Sequence, residues 1–361
     1  MLHGFDPENE PISGHPFTEQ LCWGDWKSLT RIRSIVGSKT VSLDGLARMA
    51  LKREQEMRSR LKELEKLIDE DIYRLYEISE NDKKIIEQEL ALRSESALSF
   101  EGEETTEIDD EQIQETFNEE MKIRDHVARL LSFYIRKILD SNADGVVPLH
   151  RLVEQLRNEL ANDFGEAETN TKEKEIQKMF GKSLEEWIAT EYFDFHVNLY
   201  KRRPVYWHLT SSNFSSARRS SGAVNLFIHY HKLDRDTVPK IISNYLKPEV
   251  DASKWKTERL KRELQEARDK SNKVKEKELS KQLETTLSVL EELQGFQEAL
   301  ETVHNPPTDK TKLPRNPTWL QQKTSEVRDN GYGPVIDYGV RVNIEPLKEA
   351  GLLHKAAQRV K

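Results

Sequence analysis

The sequence predicts a mainly α-helical protein in which amphipathic helices and two helical hairpins surround a small β-hairpin element. Three observations support this fold class. Apolar residues recur at helical spacing through most of the chain, and only one region contains two short aromatic-rich runs of the strand type. Charged residues make up 33% of the chain and the mean hydropathy is -0.77, which suits long solvated helices better than one deep core.

The β element is predicted between residues 201 and 232. Its strands are the runs from Pro204 to Leu209 and from Ala223 to His231, which a loop rich in Ser, Gly and Arg separates. A helix follows, and either Asp234 or Asp236 can cap it because a short carboxylate accepts first-turn N–H groups. Pro239 then lies in the first turn, where its missing N–H costs little.

The residues before this element predict further helices. Apolar positions predict a long helix from about Ser42 to Asp69, and a partner that begins after Ser79, which forms a capping box with Asp82. The segment 101–120 is strongly acidic and has few core residues, so we expect a linker there. Further helices are predicted at 121–139, 151–164, 174–180 and 183–199, with a polar loop at 165–172.

The residues after the β element predict a second hairpin and a tail. The leucine stripe slips near residues 269–273, which indicates a helix pair folded on itself rather than one continuous heptad. The tail is irregular up to Pro334 and closes with a short helix from Asn343 to Leu353. The predicted organisation is therefore 1–40 irregular, 41–97 helical hairpin, 98–120 acidic linker, 121–250 core helical domain with the β-hairpin 201–232, 251–303 coiled helical hairpin, and 304–361 C-terminal tail.

The net charge and the single cysteine indicate which partners and which cellular compartment to expect. The formal net charge is -8, so any contact with DNA would need local basic patches. The single Cys22 has no disulfide or CxxC partner, and we find no membrane-spanning run or signal pattern, which together favour a cytoplasmic protein.

Two motifs could carry chemistry, and the sequence argues against both. The tetrapeptide Asn305-Pro306-Pro307-Thr308 is close to the Asn-Pro-Pro-aromatic motif of amino-methyltransferases, but Thr308 replaces the stacking ring and no Gly-rich cofactor turn occurs. We therefore predict no catalytic residue and no cofactor site in this chain. His229 and His231 share one strand face, but no third ligand is in register, so no metal site is predicted.

The basic residues around the β-hairpin are the best functional candidates. Three cations precede the first strand and two lie in the Ser/Gly loop, beside Tyr206 and Trp207, a combination that suits phosphate contact. Simple solvation, or contact with a neighbouring domain, is the alternative. The DNA-contact candidates are Lys201, Arg202, Arg203, Arg218 and Arg219.

Four motifs carry a resemblance to a known family. They are KRRPVYWHL (201–209), FIHYHKLDRDTV (227–238), YGVRVNIEPL (338–347) and IYRLYEISENDKKIIEQEL (72–90). Together they resemble the C-terminal region of PglX-type N6-adenine DNA methyltransferases, large single-chain enzymes of BREX phage-defence systems, and of related single-chain restriction-modification enzymes. The resemblance covers roughly residues 70–355. It implies that S-adenosylmethionine binds in the family's catalytic region, outside this chain.

The resemblance and the residues together give a leading hypothesis. The chain is expected to be a non-catalytic helical part, whether subunit, split-gene product or fragment, that helps position DNA or partner proteins for N6-adenine methylation. A catalytic methyltransferase chain or BREX proteins are the expected partners, and a membrane is not. The alternative is a helical scaffold that binds proteins and never contacts DNA.

Overall fold

A computed structural model describes residues 42–86, 88–89, 111–216, 221–307 and 313–360. It confirms a mainly helical fold with a small antiparallel sheet. The chain forms two compact units, and the described residues up to Val127 belong to one and those from Ala128 onward to the other. The six-part division predicted from the sequence remains a prediction.

The first unit is built on one long helix, α1 (Leu43–Leu75), and the start of α2 (Glu111–Ser141). Ser42 caps α1 by accepting a hydrogen bond from the Gly45 amide at 3.0 Å. Ser79 caps the next helical stretch, 80–86, through the Asp82 amide at 3.2 Å, as the sequence predicted. Its hydroxyl also donates to the Asp82 carboxylate at 2.7 Å, so the pair differs from a standard capping box.

The second unit contains the sheet, whose strands run in the order β1 (Val146–Pro148), β3 (Asn225–His229), β2 (Tyr206–Thr210). Both predicted strands are confirmed, with Trp207 opposite Ile228 across the antiparallel pair. Every residue of β2 and β3 is buried, so both faces of the sheet are covered. The sequence did not predict β1, because three residues are too few to show an alternating pattern.

Helices surround this sheet. Two of them pass through π-helical turns, Ile188–Tyr192 and Ile241–Leu246, without leaving the helical path. The helices of this unit after α2 are α3 (Leu149–Phe164), α4 (Glu166–Phe180), α5 (Leu184–Trp187), α6 (Phe193–Leu199), α7 (Thr237–Lys240), α8 (Lys247–Asp269), α9 (Lys273–His304), α10 (Trp319–Arg328) and α11 (Val340–Glu349).

The predicted helix pair near residue 270 is confirmed. Helices α8 and α9 pack against each other through Leu260, Leu264, Ala267 and Leu279. The chain turns between them at the residues where the leucine stripe slips, and the Asn272 side chain caps α9 by accepting from the Lys275 amide at 3.1 Å.

The C-terminal segment is part of the main core. Leu347, Leu352 and Leu353 are buried in the same cluster as Trp207 and Phe296. The segment also adds a bridge to the edge of the sheet, because the Thr210 amide donates to the Leu352 carbonyl at 3.0 Å and the His354 amide to the His208 carbonyl at 2.9 Å.

Three predicted irregular segments are helical instead. Helix α2 begins at Glu111 rather than Met121, so the second half of the acidic segment is helical and not irregular. The expected loop 165–172 belongs to α4, where Lys172, Ile176 and Phe180 are buried. The tail contains α10, which begins with a capping box between Thr318 and Gln321.

Pro239 lies in the first turn of α7, as predicted, but the expected aspartate cap is different. Asp236 precedes α7 and its side chain makes no capping hydrogen bond. Asp234 instead accepts from the Thr237 hydroxyl at 2.8 Å and from the Lys240 ammonium at 3.1 Å. Within the described ranges, no helix combines the length and the apolar character that crossing a membrane requires.

Candidate nucleic-acid interface

The cations Lys201, Arg202 and Arg203 form a turn, here named the basic turn, between α6 and β2. Two backbone hydrogen bonds close the end of α6, from the Lys201 amide to the Asn198 carbonyl at 3.1 Å and from the Arg202 amide to the Val197 carbonyl at 2.8 Å. This is the Schellman pattern of helix termination. It holds Lys201 and Arg202 at positive φ, 49° and 66°.

The side chains of the basic turn are available for contact. All three residues are exposed. Within the part of the chain that the structure describes, none of the three side chains has a hydrogen bond or an ion pair. Unpaired exposed cations can bind phosphate without first losing a carboxylate partner.

The conformation of Lys201 gives a testable effect on stability. The left-handed region costs a residue with a Cβ about 1–2 kcal/mol, and glycine avoids that cost but loses more entropy on folding. We therefore expect Lys201→Gly to raise the free energy of unfolding by about 0.5–1 kcal/mol in urea denaturation. Lys201→Ala keeps the Cβ and is the matched control, so an equal gain in both variants would contradict this explanation.

The residues after the basic turn are fixed in the core. Tyr206 and Trp207 are both buried, so neither ring is open to a nucleic-acid base. The Trp207 indole N–H donates to the Pro204 carbonyl at 3.1 Å, and the Tyr206 amide donates to His196 Nε2 at 3.2 Å. Both rings therefore belong to the core, and the exposed contact surface consists of the cations alone.

Asp140 joins the end of α2 to the sheet. Its Oδ1 atom accepts from the Tyr206 hydroxyl at 2.7 Å and from His229 Nε2 at 3.1 Å, and Arg136 Nε lies 3.3 Å from Oδ2. Burial opposes ionisation of Asp140, but the hydrogen bonds from His229 and Tyr206 and the charge of Arg136 hold its pKa below the ordinary value. The cluster therefore keeps an ionised carboxylate beside the sheet.

The histidine pair considered as a metal site is part of this cluster. His229 uses Nε2 on Asp140, and its Nδ1 accepts from the His231 amide at 3.1 Å. Both ring nitrogens of His229 therefore have hydrogen-bond partners within the protein. Among the residues that the structure describes, no group of three or more His, Cys, Asp or Glu side chains could hold a metal ion.

The segment between β2 and β3, residues 211–224, is here named the arm. Arg218 and Arg219, the two other DNA-contact candidates, lie outside the described residues. The base of the arm is well defined because Glu292 of α9 holds both of its ends. The Ser211 hydroxyl donates to Glu292 Oε1 at 2.5 Å and the Ala223 amide to the same atom at 2.6 Å.

Sequence reasoning missed Glu292. The residue lies in a charge-rich helix, where a glutamate is normally solvated, yet it is fully buried. Ser211 completes the arrangement, because its hydroxyl oxygen also accepts from the Val224 amide at 2.9 Å. Glu292 therefore fixes where the arm leaves and rejoins the sheet.

The tetrapeptide at 305–308 follows the end of α9, as expected for a helix-terminating linker. Helix α9 ends at His304, and the Asn305 amide donates to the Glu301 carbonyl at 2.7 Å. Asn305, Pro306 and Pro307 come directly after it, while Thr308 lies outside the described residues.

Part of the chain is similar to a known protein. No family model matches the chain. A stretch of 156 residues is 31% identical to a protein named adenine-specific methyltransferase PglX from Lacticaseibacillus casei (strain Zhang). The stretch covers 40% of this chain and 12% of that protein, so the chain spans a small part of its relative's length.

This similarity confirms the predicted relationship to a PglX methyltransferase in its coarse form. The finer placement of this chain in the C-terminal region of such enzymes stays a prediction. The absence of a catalytic residue and of an S-adenosylmethionine site also stays a prediction, and so do the DNA-contact roles of the five cations.

Proposed function

We propose that this chain is a helical, non-catalytic part of an adenine-specific methyltransferase of the PglX type, acting in BREX phage defence. Its basic turn would contact the DNA backbone and so help position DNA, or a catalytic partner chain, for N6-adenine methylation. The catalytic region of the enzyme would bind S-adenosylmethionine. The similarity to PglX supports the assignment to a methyltransferase of this type. The exposed unpaired cations of the basic turn support the proposed contact with the DNA backbone.

The geometry of the basic turn suits phosphate better than base edges. The cations are consecutive, exposed and attached to a turn that backbone hydrogen bonds fix. Phosphate contacts set the position of a protein on DNA and need no particular base sequence. Because the whole chain has a net charge of -8, an attraction to DNA must arise from such a local feature.

Charge reversal of the basic turn tests this proposal. We expect Lys201→Glu/Arg202→Glu/Arg203→Glu to weaken binding to a DNA duplex by about 10-fold or more at low salt. Each phosphate contact contributes roughly 0.9 to the slope of log K against log salt, so the slope should fall by about two to three. Fluorescence anisotropy over a series of salt concentrations measures both. Arg218→Glu/Arg219→Glu tests the arm in the same assay.

The matched control reverses three exposed lysines of α1, in Lys52→Glu/Lys62→Glu/Lys66→Glu. The control changes the net charge by the same amount, and we expect the salt slope to stay unchanged. If both triple variants lose the same affinity, the attraction is not local to the basic turn and the proposed contact is wrong.

A second function, a helical scaffold that binds proteins, is favoured by a different observation. The second half of α1 has a stripe of exposed apolar residues, and contiguous exposed apolar surface marks interaction sites. A scaffold predicts no salt-dependent DNA binding, so the anisotropy experiment separates the two functions. The stripe consists of Leu61, Leu64, Leu67, Ile68, Ile72 and Leu75.

A further inference from the structure

Trp255 is exposed on the surface of α8. Its side chain is 61% exposed, although burial of a tryptophan ring stabilises a protein more than burial of most side chains. The buried residues Val250, Leu260 and Leu264 of the same helix lie on the opposite side of it. The ring is therefore not part of the core of this unit.

Arginine side chains accompany the ring. The Arg259 guanidinium lies one helical turn away, 5.4 Å from the centre of the Trp255 ring, in the geometry of a cation–π contact. Arg262 lies on the same side of α8, since positions 255, 259 and 262 follow the helical spacing i, i+4, i+7. The contact with Arg259 orients the ring, and most of the ring surface stays open.

The charge around Trp255 is positive although the chain as a whole is acidic. Residues 251–263 contain five cations and three carboxylates. Asp251 pairs with Lys254 at 4.0 Å, Glu258 with Lys261 at 2.8 Å, and Glu263 with Arg259 at 3.4 Å. In the described part of the chain, Lys256 and Arg262 have no carboxylate partner.

We infer that Trp255, Arg259 and Arg262 form a stacking platform for single-stranded nucleic acid. An unpaired strand offers planar bases for the ring and phosphates for the arginines, which is the combination that single-strand binding surfaces use. A duplex hides the faces of its bases between neighbouring pairs, so it cannot use the ring in this way. An acidic protein segment would match the cations but not the open aromatic face.

This platform is a different surface from the basic turn. The inference about the platform does not depend on the proposed role of the basic turn. The basic turn is assigned to the backbone of a duplex, whereas the platform is assigned to unpaired bases. A binding assay with both kinds of DNA therefore separates failure of one proposal from failure of the other.

The test uses the full chain and two fluorescent oligonucleotides, a 15-residue oligothymidylate and a duplex of the same length. We expect Trp255→Ala to weaken binding of the single strand by about 5- to 100-fold, the usual effect of removing one aromatic stacking partner, and to leave duplex binding unchanged. Trp255→Phe keeps an aromatic face and should recover part of the affinity. Arg259→Ala/Arg262→Ala should weaken single-strand binding and lower its salt dependence.

Trp319→Ala is the matched control. Trp319 is 59% exposed at the start of α10, and no cation of the described residues lies over its ring. The control should bind the single strand as the unaltered chain does. The inference is overturned if Trp255→Ala has no effect, if both tryptophan variants lose equal affinity, or if the unaltered chain does not bind the single strand. It is also overturned if a polyglutamate peptide displaces the strand and needs Trp255 to do so.

Discussion

Lowering the pH from 7 to 5 should destabilise the second unit by several kcal/mol. The reason is that three histidines of this unit, His196, His208 and His354, are buried in their neutral forms. An unfolded chain exposes the same rings to water, where they bind a proton near pH 6.5. The unfolded state therefore gains protons at pH 5 that the folded state cannot accept.

The environment of each ring explains why it stays neutral. Burial lowers the pKa of His196 to about 3, with a smaller effect of the nearby Arg136 charge, and the Tyr206 amide occupies its Nε2. Burial also lowers the pKa of His208 to about 3, helped by the neighbouring His354. His354 stacks on His208 with ring centres 5.3 Å apart, and burial lowers its pKa to about 4.

Because the pKa of each of the three histidines is lowered in the folded state, the protein loses stability as the pH falls. Each folded-state pKa lies below the unfolded value, so the stability is fully present above pH 6.5 and decreases as the pH falls through the folded-state pKa values of about 3 to 4. At pH 5 one such histidine costs up to about 2 kcal/mol, and three cost up to about 6 kcal/mol. Carboxylates with lowered pKa, such as Asp140, contribute only at lower pH, so the range from 6.5 to 5 reports the histidines.

Urea denaturation at pH 7 and at pH 5 measures this loss. His208→Gln removes one titrating ring and keeps an amide that can donate to Asn225, which lies 3.0 Å from His208 Nε2. We expect the difference between the two pH values to shrink by about a third in this variant. The exposed His150 is the control, since His150→Gln should leave the difference unchanged. Equal stability at both pH values would show that the rings accept protons in the folded state.

The sequence predicted the helices and the two longer strands well because their signals are local. Apolar spacing identified α1, and the slip of the leucine stripe located the turn before α9. These local signals failed where contacts with distant residues determine the secondary structure. In α4 the buried Lys172 contributes to a face that reads as polar in the sequence, and β1 is stabilised by its pairing with β3 rather than by its own length.

In the candidate site, too, the sequence identified residues with local signals but not the partners that the fold brings to them. The sequence singled out the basic turn, and the structure places its three cations on one exposed turn. It also singled out His229, but not Asp140, which is its partner across a long sequence separation. Glu292 could not be found from its neighbours, because only the fold shows that both ends of the arm reach its carboxylate.

Removing the Glu292 carboxylate should destabilise the second unit and release the arm. In Glu292→Ala the Ser211 hydroxyl and the Ala223 amide lose their shared acceptor. Ser211 is buried, and a buried donor left without an acceptor costs about 1–3 kcal/mol, whereas Ala223 is exposed and water can replace its acceptor. The free energy of unfolding should therefore fall by about 1–3 kcal/mol. Urea denaturation measures this loss, and hydrogen exchange at the Ala223 amide measures the opening of the arm.

Glu292→Gln separates the hydrogen bonds from the size of the side chain. The amide carbonyl oxygen can accept from the same two donors, so this variant should lose less than half of what Glu292→Ala loses. It should also retain slow exchange at the Ala223 amide, which Glu292→Ala should not. If both variants lose equal stability while exchange at Ala223 stays slow in both, Glu292 does not hold the two ends of the arm.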